Sequence, residues 1–150
     1  MKRTIFIAFS AFMVYFAPVG AQNIPAGKIF LSCNALTTSY SYTQLRGDIA
    51  GCLSEAGYQT VYAVNDAAWT VQVNGITGKQ KESTIASKTL YFTDVTATIL
   101  IDRGAFSTRI YENSLTEKGA YNTDFDDAAL DAYHRLTPKI CETILQQLTH

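Results

Sequence analysis

Apolar residues recur along this chain with two periods, one for strands and one for helices. From Leu90 to Asp102 they alternate. Tyr91, Thr93, Val95, Ala97, Ile99 and Ile101 share one face, while Phe92, Asp94, Thr96, Thr98 and Leu100 share the other. This is the longest strand signal in the sequence. Asp102-Arg103-Gly104 reads as a turn, and Phe106, Thr108 and Ile110 alternate with Ser107, Arg109 and Tyr111 on a returning strand, so the pair predicts an antiparallel hairpin. Earlier, Lys28-Ile29-Phe30-Leu31-Ser32-Cys33 is a compact apolar run expected as a central strand, and Gln59 to Val64 is expected as a second strand. Trp69, Val71 and Val73 alternate with Thr70, Gln72 and Asn74, which predicts a half-buried strand ending near Asn74-Gly75 or Ile76.

The helical period appears twice. Over Thr43 to Ala56, Leu45, Ile49, Cys52, Leu53 and Ala56 form one apolar stripe, and Gly57 supplies the stop. Gly47 and Gly51 lie opposite that stripe and read as tolerated rather than required. Over Thr123 to Leu148, Ala129, Tyr133, Leu136, Ile140, Ile144 and Leu148 fall near 3.6 residues per turn. Asp124, Asp126 and Asp127 crowd its start, where free amides and the helix dipole favour negative charge, and Pro138 is expected to kink or divide it. The segments between are polar. Thr37 to Tyr42 reads as a loop entering the first helix, Gly78 to Ser83 as a solvated loop, and Asn113 to Asn122 as turn-rich. The order β-α-β-β-β-β-α, with no internal repeat, predicts an α+β fold: one mostly antiparallel sheet of four to five strands packed with two helices.

The apolar run from Thr4 to Phe16 fits neither period. Met1-Lys2-Arg3 precedes it, Pro18 breaks it, and Val19-Gly20-Ala21 offers the small residues that a signal peptidase requires. Residues 1–21 are therefore expected to be a cleavable signal peptide, with a single domain over 22–150. The run is short for a membrane span, so no stable membrane insertion is expected after cleavage. Cleavage would leave 129 residues, enough for one core, and loss of Lys2 and Arg3 would take the formal charge from −1 to −3. A mildly acidic domain is a poor candidate for binding nucleic acid. Export places the protein in the periplasm or outside the cell, and the absence of any Asn-x-Ser/Thr sequon leans toward bacteria.

Candidate chemistry is sparse. Asp127, Asp131 and His134 stand at i, i+4 and i+7 on one helical face, a spacing that could ligate a metal. There is no second histidine nearby and no glycine-bearing calcium loop, so an acidic helix start with a solvated histidine is the favoured reading and no metal site is assigned. The chain has no G-x-S-x-G elbow, and its only histidines are His134 and the terminal His150. Cys33, at a strand end, is better read as a packed small residue than as a nucleophile, and Asp94 has no paired acid for glycoside chemistry. No catalytic residue, cofactor site or cofactor is assigned, and a non-enzymatic role is expected. Cys52 and Cys141 both lie on core-facing helical positions, and two helices on one sheet face could bring them within bridging distance; three buried thiols are the alternative. Gly78 to Lys88 is a segment to watch for partner contact. Arg109 and Tyr111, beside Thr98 and Leu100 on the outer sheet face, form a second.

The helix Leu45-x3-Ile49-x3-Leu53-x2-Ala56-Gly57-Tyr58, the strand start Ala67-Ala68-Trp69-Thr70-Val71, the long hairpin and the closing Ala/Leu-rich helix together resemble a small periplasmic α/β module. That module is found in LpoB-type activators of penicillin-binding proteins and is similar to the CsgG core and the TolB N-terminal domain. The element order also resembles LptE. This chain has no cysteine just after Ala21 to carry a lipid, and Ala67-Ala68 stands where the group has an acidic residue. The resemblance implies an envelope accessory that docks on a protein partner, with an apolar-ligand or lipid carrier, or a lipopolysaccharide-assembly accessory of LptE type, as the alternative. It transfers no functional residue.

Overall fold

The computed structural model describes residues 27–35, 41–105 and 108–149. The expected signal segment 1–21, loop positions 37–40 and strand position Phe106 lie outside the described residues. The order is β1 (Lys28–Asn34), α1 (Tyr42–Glu55), β2 (Gln59–Val61), a short 3-10 turn (Val64–Asp66), β3 (Trp69–Ile85), β4 (Lys88–Arg103), β5 (Thr108–Tyr121) and α2 (Phe125–Leu148). The strands form one sheet in the order β2-β1-β3-β4-β5. β1 pairs in parallel with β2 and β3, and β3, β4 and β5 run antiparallel in long ladders. The α+β architecture with two helices on one face is thus as expected, but the sheet is mixed: two of its four strand pairings are parallel, and the antiparallel character lies in the long β3-β4-β5 ladders.

Local chemistry sets the helix ends. At the start of α1 the Ser41 hydroxyl accepts from the Gln44 amide while the Gln44 side chain accepts from the Ser41 amide, a reciprocal capping box. At its end Gly57 takes a positive φ of 88°, letting the Tyr58 amide donate to Leu53 and the Gly57 amide to Ser54. Asp124 caps α2 through the Asp127 amide at 2.8 Å. α2 runs unbroken through Pro138, so the expected division does not occur. Pro138 removes the donor for the carbonyl of His134, but both residues lie on the exposed side of α2, where water can replace it.

The core lies between the sheet and the helices. Ile29 and Leu31 of β1, Val71 and Val73 of β3, and Val95, Ala97, Ile99 and Ile101 of β4 meet Leu45, Ile49 and Leu53 of α1 and Ala132, Tyr133, Leu136, Ile140 and Ile144 of α2. A one-residue slip of β4 would turn its four apolar core residues to the outer face; exposing Val95, Ile99 and Ile101 alone would cost about 1.5–3 kcal/mol each, so the register is fixed. Two glycines permit the close approach of α2. A Cβ at Gly75 would strike the Tyr133 ring, and one at Gly119 would strike the α2 backbone at Ala128 and Ala132. Open space faces Gly47 and Gly51, as their reading as tolerated implied. Cys52 and Cys141 are joined by a disulfide that ties α1 to α2, with Cα atoms 6.5 Å apart, and Cys33 is free.

Three expected boundaries change. β2 stops at Val61 because it has only Lys28–Phe30 to pair with, and the chain then turns at Val64–Asp66. The expected loop Gly78 to Ser83 is the second half of β3, which with β4 forms a long hairpin arm turning at Ala86 and Ser87, both at positive φ. The expected turn-rich stretch Asn113 to Asn122 is strand to Tyr121, paired along β4. Both stretches lack apolar alternation because their outward positions meet solvent, and backbone pairing to β4 holds them.

Candidate functional site

The helices cover one face of the sheet, and no described element covers the other. Its central surface comes from the residues that alternate with the core: Gln72, Asn74 and Ile76 on β3, Thr96, Thr98 and Leu100 on β4, Ser114 and Thr116 on β5. Hydroxyls meet across the β4/β5 pair, Thr96 with Thr116 at 2.8 Å and Thr98 with Ser114 at 2.9 Å. Such cross-strand pairs give this face a polar floor without closing it to a ligand. Ile76, half exposed, stands out as an apolar residue on this floor.

At one end of the face Asp102 is buried and receives the Arg109 guanidinium at 2.5 Å, while a second arm of Arg109 reaches Glu112 at 2.9 Å. The hydrogen bond to Asp102 is the main cause that raises the Arg109 pKa above its ordinary value, keeping the guanidinium charged. Beside them the Thr70 hydroxyl donates to the Gly104 carbonyl at 2.7 Å. Arg109 therefore lies on the outer face, as expected, but Tyr111 does not. A bulge between Ile101 and Asp102 places Ile110 as an extra residue, so Tyr111 pairs with Ile101 and packs on the helix side.

At the other end the hairpin arm makes a cleft of about 620 Å³ lined by Lys79, Gln80, Lys81, Ser83, Phe92, Asp94 and Lys118. Register places Lys81 opposite Phe92 and Asp94 opposite Lys118 on the open face. A bulge between Thr77 and Gln80 adds one residue to β3, so that Gly78 and Lys79 together face Asp94, with Gly78 lying close over the Asp94 carbonyl. Lys118 reaches Asp94 at 3.8 Å. On the opposite side of the arm, the Tyr91 ring meets Phe125 edge to face at 5.0 Å, and the Thr93 hydroxyl donates to the Phe125 carbonyl at 3.0 Å. These contacts fasten the arm to the start of α2. Of the lining residues, only Gly78 to Lys88 was singled out in the sequence as a contact segment; Phe92 and Lys118 were missed because only strand pairing brings them to it.

The remaining candidates are scattered. Asp131, the middle member of the metal spacing, accepts from the Ala120 amide at 3.0 Å and pairs with Arg135 at 2.7 Å, so its carboxylate is engaged in holding α2 to the edge strand. Asp127 and His134 lie on the same helix. Among the described residues, no group of three or more His, Cys, Asp or Glu side chains is arranged to hold a metal ion. Asp94 has Lys118, not a second acid, as its ion-pair partner.

Burial pushes the Cys33 thiol up to about 12, against a smaller lowering by Arg46. The thiol is protonated and unreactive at neutral pH. At pH 8, iodoacetamide is expected to leave the folded protein unmodified and to alkylate one cysteine after denaturation without reductant, as read by intact mass. The folded state holds this proton more tightly than the unfolded chain. Stability is therefore expected to fall by about 1.4 kcal/mol per pH unit as pH rises from about 9 toward 12.

No family model matches the chain, and no curated protein matches it. Solved structures do. A neuraminyllactose-binding hemagglutinin homolog from Helicobacter pylori aligns at a TM-score of 0.55 and 12% identity over 89% of this chain and 94% of its own. The hypothetical protein CT253 from Chlamydia trachomatis aligns at 0.51 and 12% identity over 82% and 98%. A minor lipoprotein from Acinetobacter baumannii aligns at 0.49 and 18% identity over 83% and 89%. At such identities the likeness of the first two establishes a shared fold: the chain has the architecture of small bacterial α/β proteins spanning nearly the same length.

Proposed function

We propose that this is an exported, non-enzymatic accessory of the bacterial envelope that acts by docking a partner protein on the open face of its sheet. The observation that carries the reading is the one-sided cover. A sheet face of paired hydroxyls and amides, with Ile76 half exposed among them and no described element over it, offers the mixed polar and apolar surface that a protein-binding platform needs. The signal-like residues 1–21 support export to the periplasm, and the resemblance to LpoB-type activators, the CsgG core, the TolB N-terminal domain and LptE supports an assembly or regulatory role. A lipid carrier would need volume between sheet and helices; fully buried side chains, Tyr133 largest among them, pack that layer.

A photo-crosslinking residue at Ile76 tests the docking surface in the native cells. It is expected to give one discrete adduct with an envelope protein, absent when the probe is at Gly51 on the outer side of α1 and lost when Thr98→Arg is added. Equal adducts from both positions, or none from Ile76, would overturn the reading.

A further inference from the structure

The geometry points to the arm cleft as a binding site for an anionic saccharide, a sugar ring bearing a carboxylate or a phosphate. The cleft has the size of a small-molecule site and combines three kinds of group on one wall. Lys79, Lys81 and Lys118 against Asp94 leave it with two net positive charges on a chain whose formal charge is −1. A local excess of one sign in a concave surface raises the concentration of oppositely charged ligand there. The Lys118 pair with Asp94 is long, and its ammonium is well exposed, so Lys118 can turn to a bound anion.

Phe92 and Asp94 decide the class of ligand. An inorganic anion would use the lysines and leave the half-buried Phe92 ring without a role. An acidic peptide would bring its carboxylates against Asp94, which can only accept hydrogen bonds when ionised. A sugar acid satisfies all of them. Its acid group meets the lysines, its hydroxyls donate to Asp94 and exchange hydrogen bonds with Ser83, and the C–H face of its ring lies on Phe92. The β3 bulge at Gly78 and the anchoring of Tyr91 and Thr93 to Phe125 hold the wall in place before any ligand arrives.

The full-length chain is titrated calorimetrically with digalacturonate, N-acetylneuraminate and a glucosamine phosphate, which together sample the carboxylate and phosphate forms. N-acetylglucosamine, tetraglutamate and inorganic phosphate are the comparisons. At least one acidic sugar is expected to bind at least tenfold more tightly than all three comparisons. Lys81→Ala and Lys118→Ala should each weaken it about tenfold, with Lys28→Ala without effect and melting temperatures unchanged. Asp94→Asn should weaken the sugar while leaving any phosphate binding intact. The assignment fails if no acidic sugar binds up to millimolar concentration, if tetraglutamate or phosphate binds as well, or if affinity survives loss of both lysines. The site does not rest on the docking proposal, since crosslinking at Ile76 and sugar titration report separately.

Discussion

Replacing Cys52 and Cys141 together by alanine is expected to lower the free energy of unfolding by about 4–5 kcal/mol. The bridge joins residues 89 apart in sequence, so it closes most of the described fold into one loop. In the chain-entropy view a crosslink over a loop of this length removes much of the freedom of the unfolded chain. Nothing else among the described elements ties α1 to α2 covalently, and the two helices share a short contact beside the sheet. The bridge lines a cleft with Pro138 and Leu145, where a reductant is expected to reach it. Urea unfolding of wild type with and without reductant, alongside the double variant, checks the effect. The reduced protein and the variant should unfold at the same lowered midpoint. Coincident midpoints for oxidised and reduced protein would show that the bridge contributes nothing.

Gly119→Ala is expected to destabilise by about 3 kcal/mol or more, as overpacking against backbone does. The new Cβ would fall inside contact distance of the Ala128 carbonyl oxygen, 2.7 Å from the Ala132 amide nitrogen and 2.8 Å from the Ala128 carbonyl carbon. All three atoms are backbone of α2, so no side chain can swing away. The helix itself would have to move, carrying Tyr133, Leu136, Ile140 and Ile144 from their seats on β4 and β5. Gly51→Ala is the matched control, since nothing lies within 4 Å of its Cβ and the helix gains propensity. Thermal unfolding of the two variants should move in opposite directions from wild type. A Gly119→Ala protein as stable as wild type would mean that α2 does not sit this closely on β5.

Part of the proposed site could be read from the sequence and part could not. Thr96, Thr98 and Leu100 were placed on the outer face by simple alternation along β4, because the opposite face of that strand is apolar from Val95 to Ile101. Lys79 and Lys81 fell in a segment noted for contact, but as a loop. Their strand is exposed beyond the helices, so the alternation that reveals strands had no cause to be there. Phe92, Asp94 and Lys118 meet them only through the register of the β3/β4 and β4/β5 hairpins.

What the sequence determined by itself was local and periodic: the two helices from their apolar stripes and end signals, the core face of β4, and the cysteine positions that could meet across two helices. The tertiary structure decided what depends on pairing partners. It set β1 between two parallel neighbours, extended β3 and β5 through polar stretches, and chose a disulfide over separate thiols. The bulge at Ile101/Asp102 is the sharpest case. One extra residue, Ile110, reverses every later side chain of β5, moving Tyr111 to the helices and Ser114, Thr116 and Lys118 to the open face. Alternation along one strand carries no information about where its neighbour adds a residue. The resulting register puts Gly119 on the helix side, where it allows the backbones of β5 and α2 to touch.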